Sequence, residues 1–577
     1  MNRFLKTINV KTKIIMVMSL AVIVGLSYSL AEITIKNRDE ILKNKFNDVQ
    51  FVSMMNTLIE SGVIDYDHHN HQAIVNDARL KAMKLKPGVI ARVHENLQYV
   101  KLCDETRLCY DAKRSSINHA YLQLASHGIY QRGVMMDRNG IIIAETNVNQ
   151  RLRTKRNYPL GEALFHPVGV YSTIYNAQGL EASLDEILRE GLDGNTLVTQ
   201  TGDPTRKILS GNHVMLTLDA TLQQQAFEIQ KRYQYASGII VLDARTAEVL
   251  VMSSFPSFDP NTAVGEKAWT DLMDNTIRAA ENRTLKLLPP GSVFKIITLA
   301  SYLENGGDMS QEFQCNGTEK DFNHPVRCIR SHGLVTGATA FIRSCNQRHG
   351  AMAMRLKRKL NNTGERFGFN SPIVLAQING QLISAPASII YPSNFDYDHN
   401  RGMLAHAGIG QNTVEVNALQ MASVVQAIAN RGIKASPSLI KEITDAKGNR
   451  LWRYKAKSRR VINVEYADII GKLMGRVMTE GTGKQVKKIY RLPSGHYGTT
   501  AEAGSQLIHV MGKTGTAEAG FQNEDTHSWF VGAVPLNQPR YVIAVVAEYG
   551  GFGSQTAAPM AVEILAQALN RSNTMNK

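Results

Sequence analysis

Ser292 and Lys295 stand three residues apart where the turn Pro289-Pro290-Gly291 runs into an apolar stretch through Ala300. On a helix that spacing places both side chains on one face. A serine hydroxyl becomes a nucleophile when a neighbouring base takes its proton, and a lysine can be that base once its surroundings lower its pKa. Helix N-terminal N–H groups close by would stabilise a developing oxyanion. Alone, Ser-x-x-Lys says little, since the same spacing recurs at Ser438 and Lys441 with no glycine turn leading into a buried helix. Order supplies the weight. Ser344-Cys345-Asn346 follows Ser292, and Lys513-Thr514-Gly515-Thr516 comes later on a segment that reads as a strand. Ser210-Gly211-Asn212 repeats Ser-x-Asn but precedes the serine, out of sequence.

The elements that must position these residues belong to a chain of 577 residues, long enough for two or three domains. A hydrophobic content of 43% supports large cores. The net charge of +15 is spread along the chain and fits an anionic membrane or polymer; without a nucleic-acid motif, nucleic acid is not an expected partner. The cluster Arg355 to Lys359 reads as a solvated helix face. Arg3, Lys6, Lys11 and Lys13 precede an uncharged stretch from Ile14 to Ala31, the length of a single membrane span. That pattern predicts a cytoplasmic tail over 1–13, an anchor over 14–31 and the rest outside the cytoplasmic membrane. Ser29-Leu30-Ala31 is the alternative, a signal-peptidase site, with the same consequence for the compartment.

Five cysteines suit an oxidising compartment: Cys103 with Cys109 and Cys315 with Cys328 are candidate bridges, and Cys345 is a buried free thiol. No Cys-x-x-Cys occurs, and Asp65 to His71 reads as a solvated histidine-rich loop because no partners at ligand spacing accompany it. No metal or cofactor is expected. Residues 32–131 read as helices. From Arg132, extended segments begin, with a tight turn at Asp137-Arg138-Asn139-Gly140. Gly238–Asp243 and Glu248–Met252 form a hairpin, and Tyr541–Ala547 is a buried strand. Hairpin and late strand are expected to meet in one sheet across a helical insertion.

With these segments in view, the ordered set Ser-x-x-Lys, Ser-x-Asn, Lys-Thr-Gly resembles the acyl-transferase signature of penicillin-binding proteins and β-lactamases. The chain looks like a class B penicillin-binding protein, a membrane-anchored monofunctional peptidoglycan DD-transpeptidase. Arg132-Gly133, Phe258-Asp259-Pro260-Asn261, Gly408-Ile409-Gly410-Gln411, Leu419-Gln420-Met421-Ala422 and Trp529-Phe530-Val531-Gly532 extend the likeness from about residue 132 to the C-terminus. The resemblance implies an α+β fold. It consists of a penicillin-binding/β-lactamase-like transpeptidase domain over 236–577, an antiparallel sheet flanked by helices with a helical subdomain. A pedestal of α+β type over 132–235, the membrane-proximal region over 32–131 and one transmembrane helix would precede it.

By the same resemblance, Ser292 attacks the carbonyl between two terminal D-alanines of a peptidoglycan stem peptide, and an amine from a second stem peptide resolves the acyl-enzyme. Lys295 is the base, held neutral with help from a cation at Lys513, and Ser344 relays a proton to the leaving group. Asn346 holds the substrate backbone; Lys513, Thr514 and Thr516 suit its terminal carboxylate. Gly515 admits the substrate as an added strand, and the oxyanion hole takes backbone N–H groups of Ser292 and Thr516. β-Lactams are implied inhibitors, and a SEDS-type glycan polymerase the implied partner. One departure is His349, where the family usually has an aromatic residue. His527 reads as structural. The alternatives are a DD-carboxypeptidase, a β-lactamase, a β-lactam receptor, or a non-enzymatic scaffold for the polymerase. Length and anchor disfavour the β-lactamase, the short tail the receptor, and the intact motifs a dead scaffold. The missing Gly-x-Ser-x-Gly elbow argues against an α/β-hydrolase. Nothing in the sequence separates elongation from division or names the acceptor amine.

Overall fold

The computed structural model describes residues 207–262, 278–317, 326–378, 381–518 and 526–575 without a break, and shorter stretches before 207. It divides into two compact units, one made of residues up to 129 with 173–175 and 200–207, the other of the remainder. The anchor segment 14–31 lies outside the described residues, among which no helix is long and apolar enough to cross a membrane.

In the first unit, Ile64–Asp67 pairs antiparallel with Gln72–Val75, and Val100–Asp104 with Arg107–Tyr110. Asp77–Ala82 is a short helix. Over these stretches the helical reading of 32–131 is corrected. Tyr66, Ile74, Val75, Val100 and Tyr110 are residue types that fit a pleated surface, and this outweighs the scarcity of glycine and proline. Cys109 stands opposite Lys101, with Cys103 at a register shift in the same hairpin. The side chains of the 103–109 pair, and His68 to His71, lie outside the described residues.

The second unit holds two main sheets. Strands β1 (Met135–Met136), β2 (Ile142–Val148), β3 (Thr154–Asn157) and β4 (His213–Leu216) join two later ones, β9 and β10 below, in one six-stranded sheet. The tight turn forms as expected, because the Asp137 carboxylate accepts from Asn139 N–H at 2.7 Å, Ile141 N–H at 2.8 Å and Ala220 N–H at 3.0 Å. In the same unit, buried Glu181 accepts from Arg132 Nε at 2.6 Å and Arg156 Nε at 2.7 Å, an ion triad with each charge partnered.

Asp219 caps helix α1 (Ala220–Tyr233) by accepting from Leu222 N–H. The hairpin β5 (Ser237–Asp243) and β6 (Val249–Phe255) follows. Then come α2 (Lys295–Glu304), β7 (Phe313–Cys315), β8 (Gly333–Val335), α3 (Gly337–Ile342), α4 (Asn346–Leu356) and α5 (Ala418–Ala429). Strands β9 (Ile440–Thr444) and β10 (Arg450–Arg453) return to the first sheet, β9 pairing with β4. Finally come α6 (Val464–Thr479), β11 (Met511–Glu518), β12 (Thr526–Val534), β13 (Tyr541–Ala547) and α7 (Ala557–Met575). The second sheet runs β6-β5-β13-β12-β11, with β5 antiparallel to β13, so the two ends of the insertion meet as the sequence implied.

Strand alternation builds two cores on this sheet. Ile240, Leu242, Val531, Ala544 and Val546 pack with α2 and α5, while Ile239, Val241, Phe530, Ile543 and Val545 pack under α1 and α7. The first core also takes in Met135, Val214 and Leu216, so it continues into the six-stranded sheet. Among the described residues, β11 stands at the sheet's edge and is paired on one side only.

Candidate active site

Gly291–Phe294 is a tight 3-10 turn and α2 starts at Lys295, so Ser292 sits just ahead of the α-helix, not within it. In such a turn residues i and i+3 eclipse, which brings serine and lysine together. The turn is pressed against the edge strand. Gly291 has φ +56°, and a Cβ there would lie 2.4 Å from the Thr516 carbonyl oxygen. Its N–H donates to Gly410 O at 2.8 Å, and a side chain at Gly410 would in turn strike Gly291 O. Fully buried Trp529 fixes the start of the turn, its indole Nε1 donating to Pro289 O at 2.9 Å. A Cβ at Gly515 would meet Pro290 O at 2.9 Å, so this glycine is required by the turn itself.

Lys295 is completely buried, its Nζ 3.0 Å from Ser292 Oγ, 2.8 Å from Ser344 O, 3.1 Å from Ser344 Oγ and 2.6 Å from Asn346 Oδ1. Ser344 links α3 to α4 with φ +56°, a left-handed conformation that turns both its carbonyl and its hydroxyl to the lysine. From the edge strand, Lys513 Nζ donates to the same Ser344 Oγ at 3.0 Å. Ser344 Oγ therefore bridges two buried amines.

Burial lowers the Lys295 pKa to about 8. The pKa of Lys513 falls well below the ordinary lysine value, first through burial and second through the charge of Lys295. Desolvation is the main cause at Lys295; the repulsion expected between the two amines is mutual, and stands second to burial at Lys513.

The remaining expected residues assemble at the same place, with partners of their own. Asn346 Nδ2 donates to Arg327 O, so the amide is held at both ends. Thr514 Oγ1 lies 2.6 Å from Thr482 Oγ1, and Thr516 Oγ1 accepts from Gly553 N–H at 3.3 Å. Thr482, in the loop after α6, was missed from sequence; its position in Gly481-Thr482-Gly483 was the available signal. His349 is fully buried behind the site, its Nδ1 2.8 Å from Cys345 O, and burial holds its pKa well below the usual histidine value. The expected Cys315–Cys328 bridge is not formed: the two Sγ atoms lie 3.7 Å apart, and both are free, as is buried Cys345. The decoys have structural partners, with Ser438 Oγ donating to Ile440 O and Lys441 Nζ to Arg138 O. His527 accepts from Tyr549 N–H at 3.3 Å, its ring tilted 56° to the Tyr549 ring, contacts of the kind a structural histidine makes.

Residues 237–566, which contain the Ser-x-x-Lys, Ser-x-Asn and Lys-Thr-Gly motifs, match the family model for the penicillin binding protein transpeptidase domain. The chain belongs to this family. Among similar penicillin-binding proteins, peptidoglycan D,D-transpeptidase PbpA of Mycolicibacterium smegmatis is 27% identical over 483 residues, covering 77% of this chain and 90% of that protein. The D,D-transpeptidase domain of a peptidoglycan glycosyltransferase from Eggerthella lenta superposes with a TM-score of 0.65 at 27% identity, over 77% of this chain and all of that one. Penicillin-binding protein A from M. tuberculosis, as a penicillin G acyl-enzyme complex, shares the fold at TM-score 0.65 and 24% identity, over 76% of this chain and 100% of that chain. The mixed α+β transpeptidase fold implied by sequence is therefore the fold of this penicillin-binding protein.

Proposed function

We propose that this penicillin-binding protein is a peptidoglycan D,D-transpeptidase acting through an acyl-enzyme on Ser292. The observation that carries this reading is the contact of a buried, pKa-lowered Lys295 with Ser292 Oγ beside a half-open strand edge. Neutral Lys295 takes the Ser292 proton as Oγ attacks the penultimate D-alanine carbonyl. Backbone N–H groups of Ser292 and Thr516 receive the oxyanion. The proton passes from Lys295 through Ser344 Oγ, which contacts both lysines, to the departing D-alanine amine. An acceptor amine then attacks the ester, releasing Ser292 and leaving a cross-link. Lys513, Thr514 and Thr516 face the donor's terminal carboxylate. A carboxylate there favours protonated Lys513, and with it neutral Lys295. Asn346 first holds Lys295 and turns to the substrate backbone only if Arg327 O releases its amide. β-Lactams acylate the same serine.

Around this centre, 14–31 is read as the anchor, 32–131 as a membrane-proximal region and 132–235 as the pedestal, with the site on the outer side of the membrane and a SEDS-type polymerase as partner. The basic residues ahead of Ile14 and the uncharged run after it support the anchor. The test is a donor peptide ending in D-Ala-D-Ala with a labelled amine acceptor. Cross-linked product with D-alanine release supports transpeptidation; D-alanine release with free acid alone makes the protein a carboxypeptidase.

A further inference from the structure

Behind the Ser344–Asn346 turn, Cys315, Cys328, His332 and Cys345 place one ligand atom each within 4.8 Å of one another. They come from separate places in the chain: the end of β7, the loop beyond it, the residue before β8 and the residue that opens α4. Cys315 and Cys345 are buried, and the other two are half-buried.

The distances have a specific form. Cys315 Sγ lies 3.7 Å from Cys328 Sγ and 3.4 Å from His332 Nδ1, and Cys328 Sγ lies 3.9 Å from Cys345 Sγ. Zinc bonds of about 2.3 Å to sulfur and about 2.0 Å to nitrogen give tetrahedral edges of about 3.8 Å between sulfurs and about 3.5 Å from sulfur to nitrogen. A disulfide needs sulfurs about 2.05 Å apart and would use two of the four groups, stranding a third thiol and an imidazole. One tetrahedral cation uses all four. The surroundings also suit thiolates, since Asn346 N–H donates to Cys328 Sγ at 3.2 Å.

We propose that Cys315, Cys328, His332 and Cys345 form a closed structural site for a Zn(II) ion. Three thiolates and one imidazole make a soft S₃N set, and four protein ligands leave no open position for catalysis. The thiols release their protons on binding. The consequence for the neighbouring site follows from connectivity, because Cys345 lies between Ser344 and Asn346, the two residues that hold Lys295. The ion clamps the left-handed turn at Ser344 and, through Cys328, the backbone N–H of Asn346. It positions the proton relay without touching the substrate.

The test uses the full chain in detergent, expressed with zinc in the medium and dialysed without chelator. Elemental analysis is expected to give about one zinc per chain, retained by a Cys103→Ser/Cys109→Ser control and lost in Cys328→Ser. Because Cys328→Ser can fail to fold, His332→Cys provides a second reading: it keeps the metal. Its Co(II) form keeps tetrahedral ligand-field bands, shifted to lower energy relative to Co(II) wild type. Stripping zinc is expected to slow fluorescent-penicillin labelling at least tenfold, and readdition to restore it. Protein purified without zinc that is folded and labels as fast as it does after zinc is added overturns the proposal. So does a Cys315–Cys328 or Cys328–Cys345 disulfide found in that protein by non-reducing mass spectrometry, or zinc that survives Cys328→Ser.

Discussion

Acylation of Ser292 should rise with pH through the titration of Lys295. With a pKa of about 8, about one-tenth of Lys295 is neutral at pH 7 and about nine-tenths at pH 9. The second-order rate of labelling by a fluorescent penicillin is therefore expected to increase about tenfold over that interval. Arginine cannot serve as base, so Lys295→Arg should lower the rate by about 10²–10⁴-fold and flatten the profile. Stability carries the same signature with a defined sign. The folded-state pKa lies below the ordinary lysine value of 10.5, so between about pH 8 and 10.5 the unfolded chain binds more protons, and stability rises with pH. Below pH 8 the full penalty of the buried charge is present, about 3 kcal/mol. The stability of the wild type relative to Lys295→Met should therefore increase across that window, as read by denaturant unfolding of both proteins at each pH. A labelling rate that stays flat from pH 6.5 to 9, or an unchanged profile in Lys295→Arg, refutes the assignment of Lys295 as base.

Two further substitutions separate the site's scaffold from its chemistry. Gly291→Ala places a Cβ 2.4 Å from Thr516 O at a positive φ, and should cost about 2 kcal/mol or more and cut labelling at least tenfold, as measured by unfolding and by penicillin kinetics. Glu181→Ala leaves Arg132 and Arg156 buried without their common partner and should cost about 3–5 kcal/mol. Its melting temperature should fall while the labelling rate of the protein still folded in the cold stays near wild type.

The chemistry was legible because it needs particular residue types in a particular order, and the turn at Gly291 because a positive φ there admits little else. The β5–β13 pairing was legible too, since both strands are apolar on both faces as central strands must be. What stayed hidden depends on tertiary meetings. Cys328 and His332 stand four residues apart, but Cys315 and Cys345 lie 13 residues outside them on either side, and only the fold gathers all four. Thr482 gains significance from a strand that begins beyond residue 510. The hairpins around Tyr66 and Val100 were overridden by the helix-forming composition of their neighbours. No single-residue argument could distribute charge between two lysines sharing one hydroxyl, because that follows from their relative burial and separation. The recruitment of β9 and β10 into the six-stranded sheet likewise follows from long-range pairing that local pattern does not encode.

The most direct test of the central claim is to incubate the protein with a fluorescent penicillin and locate the adduct by peptide mass spectrometry. The account predicts one stable ester on Ser292, absent from folded Ser292→Ala and unchanged in Ser438→Ala. Labelling that persists in Ser292→Ala, or an adduct mapped to another residue, would contradict it.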